Sequence, residues 1–118
     1  MFAKPNIGRG EIRAVRKVLE SGMLAQGSKV KQFEKDFASR QKVAFGVALN
    51  SGTSALHLCL LRLGLKRNDE VIVPSISFAA TANAVMMAGG KPIFADVDVR
   101  TMNVDLRDVE QKISSKTR

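Results

Sequence analysis

Apolar positions recur at helical spacing in the first 42 residues and run almost continuously after them, and that change divides the chain. In Gly10–Ser21, Ile12, Val15, Val18 and Leu19 fall on one stripe, while Arg13, Arg16 and Lys17 face away. That spacing predicts an amphipathic helix, with Gly22 as its stop. A second helix is predicted near Lys29–Gln41, where Val30, Phe33 and Phe37 are spaced by three and four. From Val43 the pattern changes. Val43–Leu49 is a continuous apolar run and predicts a strand buried on both faces. Thr53–Leu63 is apolar nearly all round and predicts a buried helix, closed by Gly64. Glu70–Val73 predicts a short strand ended by Pro74, and Phe78–Ala88 a helix of small residues stopped by Gly89-Gly90. Pro92–Val97 predicts a third strand, and Asp105 is placed to N-cap a last helix running to Ile113. Two helices followed by β-α-β-α-β-α predict an α/β fold with a mostly parallel sheet flanked by helices. The expected division is a helical segment, 1–42, and an α/β segment, 43–118.

Composition adds bounds. Apolar residues are 45% of 118, which excludes a disordered chain. No apolar run reaches the roughly 18–20 residues of a membrane span, and Met1-Phe2-Ala3-Lys4-Pro5 lacks the apolar region of a signal peptide. A cytoplasmic location is the expectation. The net charge is +8, with ten bases (4, 9, 13, 16, 17, 29, 31, 35, 40, 42) against four acids (11, 20, 34, 36) in the first 42 residues. A nucleic-acid surface would interleave stacking aromatics with such bases; Trp and Tyr are absent, and Phe33 and Phe37 among the bases are read as the apolar stripe of the second helix. The charge is read as a solvated face, or one that meets an acidic surface.

The chemistry-bearing stretch is Asn50-Ser51-Gly52-Thr53-Ser54-Ala55-Leu56. A small-residue turn that opens a helix leaves backbone N–H groups without partners, and these attract an anion. Gly52 permits close approach, and the hydroxyls of Ser51, Thr53 and Ser54 are further donors. Phosphate is the expected guest. The stretch is neither a Walker loop nor a G-x-G-x-x-G fingerprint. In open α/β sheets, ligands bind beyond the carboxyl ends of strands. This directs attention also to Pro74–Phe78 and Asp96–Asp98. The Phe78 ring has two readings there, a core residue or a platform for a planar ligand. Asp96 and Asp98 read as turn or capping residues. His57 is expected as a satisfied core or interface histidine, and Cys59 as a buried, inert thiol. One His and one Cys make no metal constellation.

Several stretches carry a wider likeness. They are Lys4-Pro5-Asn6-Ile7-Gly8, Leu19-Glu20-Ser21-Gly22, Gln26-Gly27, Phe33-Glu34, Ser51-Gly52-Thr53-Ser54-Ala55-Leu56-His57-Leu58, Asn68–Pro74, Phe78–Ala84 and Pro92–Asp98. In this order and spacing they resemble the sugar aminotransferases of the DegT/StrS family, fold-type I enzymes that use pyridoxal 5′-phosphate (PLP). The resemblance makes residues 43–118 the start of the PLP-binding large domain. It implies that Gly52, Thr53 and Ser54 hold the cofactor phosphate and that Phe78 stacks on the pyridine ring. It also implies transfer of an amino group, usually from glutamate, to a nucleotide-linked keto sugar for surface polysaccharides or natural products. Family members form dimers whose active sites use both chains. Asn68 departs from a glycine that usually precedes Asp-Glu-Val. The resemblance covers about the N-terminal third of such an enzyme. The family's pyridine-facing aspartate and Schiff-base lysine are expected beyond residue 118. Neither Lys66 nor Lys91 is placed to substitute, so the 118 residues alone are expected to be inactive and to associate or need a second polypeptide. The alternative, from the residues without the resemblance, is a non-enzymatic interaction or regulatory module, or a phosphate-ligand binder without chemistry.

Overall fold

The computed structural model describes residues 4–118, so Met1-Phe2-Ala3, weighed above as part of a leader, lies outside the described residues. Two compact units follow each other along the chain, Met1–Ala48 and Leu49–Arg118.

The first unit holds α1 (Arg9–Ser21) and α2 (Ser28–Gln41). Both predicted helices form, within a residue of their expected starts. Gly22 ends α1 in the left-handed region, with φ 68°, and its N–H returns to the Leu19 carbonyl. The apolar stripe of α1 faces solvent, with Ile12, Val15 and Leu19 all exposed.

Val43–Leu49 is not a strand. The segment is extended but unpaired, and Phe45 and Val47 are 88% and 79% exposed. A strand needs the N–H and C=O groups of a neighbour, and no described residue offers a ladder here. Two of its amides are held locally. Val43 N–H reaches the Ala38 carbonyl at 3.0 Å, and Ala48 N–H reaches Glu34 Oε1 at 2.9 Å.

The second unit is the α/β part. α3 (Gly52–Arg62) packs on α4 (Ala80–Met87), and α4 and α5 (Leu106–Lys112) lie against the sheet. The sheet has two parallel strands, β1 (Glu70–Pro74) and β2 (Lys91–Ala95), in register from Glu70 opposite Lys91 to Pro74 opposite Ala95. The buried side chains here are small: Val73, Ala84, Val85, Ala88, Ala95 and Val97. α3 is not buried as its composition predicts. It has one packing neighbour, so Leu56, Leu58 and Leu61 remain 44–48% exposed. Asn68, where the resemblance implies a glycine, has φ 79°. Asparagine tolerates that left-handed conformation better than other side chains, which accounts for the exchange.

Aspartates set the return from β2. Asp105 caps α5, its side chain accepting from Arg107 N–H. Asp98 accepts from Arg100 N–H and Thr101 N–H and closes the turn before it, as expected of a turn residue. Asp108 accepts from Lys112 and from the Asp96 N–H at 2.6 Å. The Lys112 ammonium first, and then the Asp96 amide, hold the Asp108 carboxyl below the usual carboxylate range. The Arg100 and Thr101 amides do the same for Asp98. A carboxyl with a lowered folded pKa contributes stability above its unfolded value, near pH 4, and loses it as pH falls through the folded value. Acidification below about pH 4 should therefore lower the protection factors of the Asp96, Arg100 and Thr101 amides, which compare their exchange with the intrinsic rate at the same pH. In Asp108→Ala, which removes the acceptor, the Asp96 amide should be poorly protected at neutral pH and its protection should change less with acid. An Asp96 amide equally protected in the variant would contradict this.

Candidate functional site

The site is built around the first turn of α3. Ser51 is the N-cap, with extended backbone, and its Oγ accepts from the Ser54 N–H at 3.1 Å. The Ala55 N–H goes to the Ser51 carbonyl. Two of the four first-turn amides are thereby used. The other two, on Gly52 and Thr53, donate to nothing among the described residues, and neither does the Thr53 hydroxyl. A Cβ built on Gly52 meets no heavy atom within 4 Å, so the space beside this backbone is open. Unpaired N–H groups at a helix start, beside open space, suit an oxyanion.

That turn opens onto a cleft of about 510 Å³. Gly52, Thr53, Leu56 and Cys59 form one wall, and Phe78 and Thr81 stand on the other. Phe78 follows the carboxyl end of β1, two residues before α4 rather than inside it as predicted. Its backbone is fixed: the Phe78 carbonyl accepts from Thr81 N–H at 3.0 Å, and Ser77 Oγ lies 3.0 Å from Thr81 Oγ1. Its ring is 80% exposed. Among the described residues, Phe78 is not part of a core. A fixed backbone with a free ring suits a planar ligand.

Three of the four sequence-predicted site residues, Gly52, Thr53 and Phe78, line this one cleft. Ser54 does not. Its Oγ donates to Asn50 Oδ1 at 2.7 Å, away from the cleft wall. Cys59 is exposed, a correction to the buried thiol expected from its apolar surroundings. The turn-by-turn spacing 52, 56, 59 places it on the cleft face of α3, a signal available in the sequence but hidden by the expectation of a buried helix. His57 is half-buried, and its Nε2 is shielded from solvent without a hydrogen-bond partner. It is therefore not the satisfied histidine expected.

Among the described residues no lysine lines the cleft. Lys91 begins β2, at the opposite end of the strands from Phe78, with Nζ 3.8 Å from Glu70 Oε1. Lys66 lies in the turn that leads into β1, where its N–H is held by Asp69 Oδ2.

The family described as the DegT/DnrJ/EryC1/StrS aminotransferase family matches residues 5–118. The chain belongs to that family. Among its relatives is the spore coat polysaccharide biosynthesis protein SpsC of Bacillus subtilis (strain 168), 42% identical over 117 residues, or 99% of this chain and 30% of that protein. The GDP-perosamine synthase of Escherichia coli O157:H7 is 38% identical over 116 residues, 98% of this chain and 32% of the synthase. Among solved structures, E. coli GDP-4-keto-6-deoxy-D-mannose-3-dehydratase with bound hydrated PLP superposes with a TM-score of 0.89 at 30% identity. That match covers 98% of this chain and 31% of the dehydratase. The chain thus spans about 30% of the length of the relatives it matches. The fold of this DegT/DnrJ/EryC1/StrS family member is the α/β fold of PLP enzymes, in the part these residues cover. Among the described residues no helix is long and apolar enough to cross a membrane.

Proposed function

We propose that this chain supplies the phosphate- and ring-holding part of a PLP-dependent aminotransferase. The enzyme moves an amino group from an amino acid, glutamate, to a nucleotide-linked keto sugar used in polysaccharide or natural-product biosynthesis. The observation that carries this reading is one cleft bounded by two unpaired helix-start amides and a free aromatic ring, in a member of this family. The kinship with a polysaccharide-biosynthesis protein and a GDP-sugar enzyme supports the sugar substrate.

The residues present fit the cofactor. Gly52 and Thr53 offer N–H donors to a phosphate, Thr53 adds its hydroxyl, and Ser54 completes the turn that holds them. The positive end of the α3 dipole favours the phosphate charge. Phe78 offers its face to the pyridine ring and fixes the plane in which the ring lies. Bound PLP supplies the electron-withdrawing ring that lets a carbon next to nitrogen lose a proton. The remaining duties are a lysine that bonds the cofactor and carries the proton, and a carboxylate facing the pyridine nitrogen. We assign both to residues other than those lining this cleft, which contains neither group. A homodimer in the cytoplasm is the assembly this reading expects, with the substrate sugar read by residues outside the described cleft.

The test is direct. The intact protein carrying this segment, purified and loaded with PLP, should convert glutamate to its keto acid in the presence of a nucleotide-linked keto sugar. Retention of PLP with sugar deoxygenation in place of amino transfer would move the reading to the dehydratase branch. Failure to retain PLP would leave the non-enzymatic module. Phe78→Ala should raise the PLP dissociation constant about tenfold, since aromatic stacking contributes roughly 0.5–1.5 kcal/mol beyond area burial. The melting temperature of the cofactor-free protein should change little, since Phe78 is 80% exposed among the described residues. Unchanged affinity in that variant would remove Phe78 from the site.

A further inference from the structure

The hydroxyl hydrogens at the start of α3 can be assigned one by one. Ser54 Oγ has one hydrogen, and it goes to Asn50 Oδ1 at 2.7 Å. Ser51 Oγ and Ser54 Oγ are 3.0 Å apart, so in that contact Ser51 must be the donor. Ser51 Oγ also accepts the Ser54 N–H at 3.1 Å. Both serine hydroxyls are thus spent within the turn, and neither serine lines the cleft. Asn50 sits outside the cleft too, four residues before Ser54. What remains pointing nowhere else is the set on Gly52 and Thr53.

We infer that Asn50 is a positioning residue for the phosphate cradle: it takes the Ser54 hydroxyl hydrogen, locks Ser54 to Ser51 behind the turn, and leaves Gly52 and Thr53 as the donors to the anion. The inference rests on the reading of this cleft as a PLP site. It gives Ser54 a different part from that of a direct phosphate ligand. The chain Asn50–Ser54–Ser51 holds the backbone of the first turn, so the two free amides are aimed before the ligand arrives. Without the Asn50 acceptor, the Ser54 hydroxyl is free to rotate and to take the Ser51 oxygen as its partner, which competes with the cap bond from Ser54 N–H.

Such a lock makes a specific prediction about coupling. In the intact protein freed of cofactor, dissociation constants are measured for PLP and for pyridoxal, which lacks the phosphate. Asn50→Ala and Ser54→Ala should each raise the PLP value about fivefold, as expected for one hydrogen bond. The double variant should be no weaker than either single one, because both break the same link. Pyridoxal should change by less than about twofold throughout, since the phosphate alone reports on the cradle. Costs that multiply in the double variant, or a loss in Ser54→Ala with none in Asn50→Ala, would make Ser54 a direct phosphate ligand and overturn the inference. So would an equal loss for PLP and pyridoxal, which would mark general loosening of the fold. A wild-type protein that holds pyridoxal as tightly as PLP would fail at an earlier step, sinking the phosphate reading and this inference with it.

Discussion

Removing the Thr53 hydroxyl should raise the dissociation constant for PLP by roughly ten- to a hundredfold, the cost of about 1.5–3 kcal/mol for a hydrogen bond to a charged group. The size follows from what Thr53 is not doing. Its hydroxyl has no partner among the described residues, although it lines the cleft. Thr53→Ala therefore deletes no bond in the cofactor-free protein, and its melting temperature should match that of the parent. Thr53→Ser, which keeps the oxygen, should recover most of the affinity. The experiment reads PLP binding and melting side by side. Equal PLP affinity in Thr53→Ala would show that the phosphate lies elsewhere, whatever the fate of Phe78.

Gly46→Ala should destabilise the first unit by roughly 1–3 kcal/mol, the usual cost of forcing atoms into a filled space. A Cβ at Gly46 would stand 2.8 Å from the Glu34 carbonyl oxygen, and 3.5 and 3.6 Å from the C and Cα of the same residue. These are backbone atoms in the middle of α2, so no side chain can swing aside. Displacing them would also disturb Glu34 Oε1, which accepts the Ala48 N–H at 2.9 Å. The expected result is faster exchange of the Ala48 amide together with lower thermal stability. Gly52→Ala is the control, because a Cβ there meets nothing within 4 Å. Should the Gly46 variant keep both its stability and a protected Ala48 amide, the close approach to α2 would be disproved.

What the letters conveyed was local. The 3.6-residue stripe through Ile12, Val15 and Leu19 was enough to place α1, and Asp105 to start α5, because caps and periodicity act within one or two turns. The parallel pairing of β1 with β2 was likewise legible, since a helix of small residues separates them. Val43–Leu49 was misread because its apolar composition states a need for partners and not their presence. The same error made α3 a buried helix and Cys59 a buried thiol. At the cleft, Gly52, Thr53 and Phe78 could be brought together from motif order. Asn50 and Ser54 could not be assigned their parts, because the direction of a hydroxyl hydrogen depends on which acceptor stands 2.7 Å away.

One feature of β1 reaches further. Its amides alternate, so the groups of Glu70 face away from β2, and both are taken: Glu70 N–H by the Lys116 carbonyl at 2.8 Å, and its carbonyl by Arg118 N–H at 3.0 Å. Thr117 thereby pairs with Glu70 in a parallel sense. Ile72 faces the same side two residues on, without a strand partner there among the described residues, and Pro74 follows with no hydrogen to give. The Thr117 pairing sets a parallel sense on this margin, and Pro74 has no N–H to extend it. The clasp at Glu70 thus ties the last described residues to the start of β1, and the proline marks where that margin runs out of hydrogens.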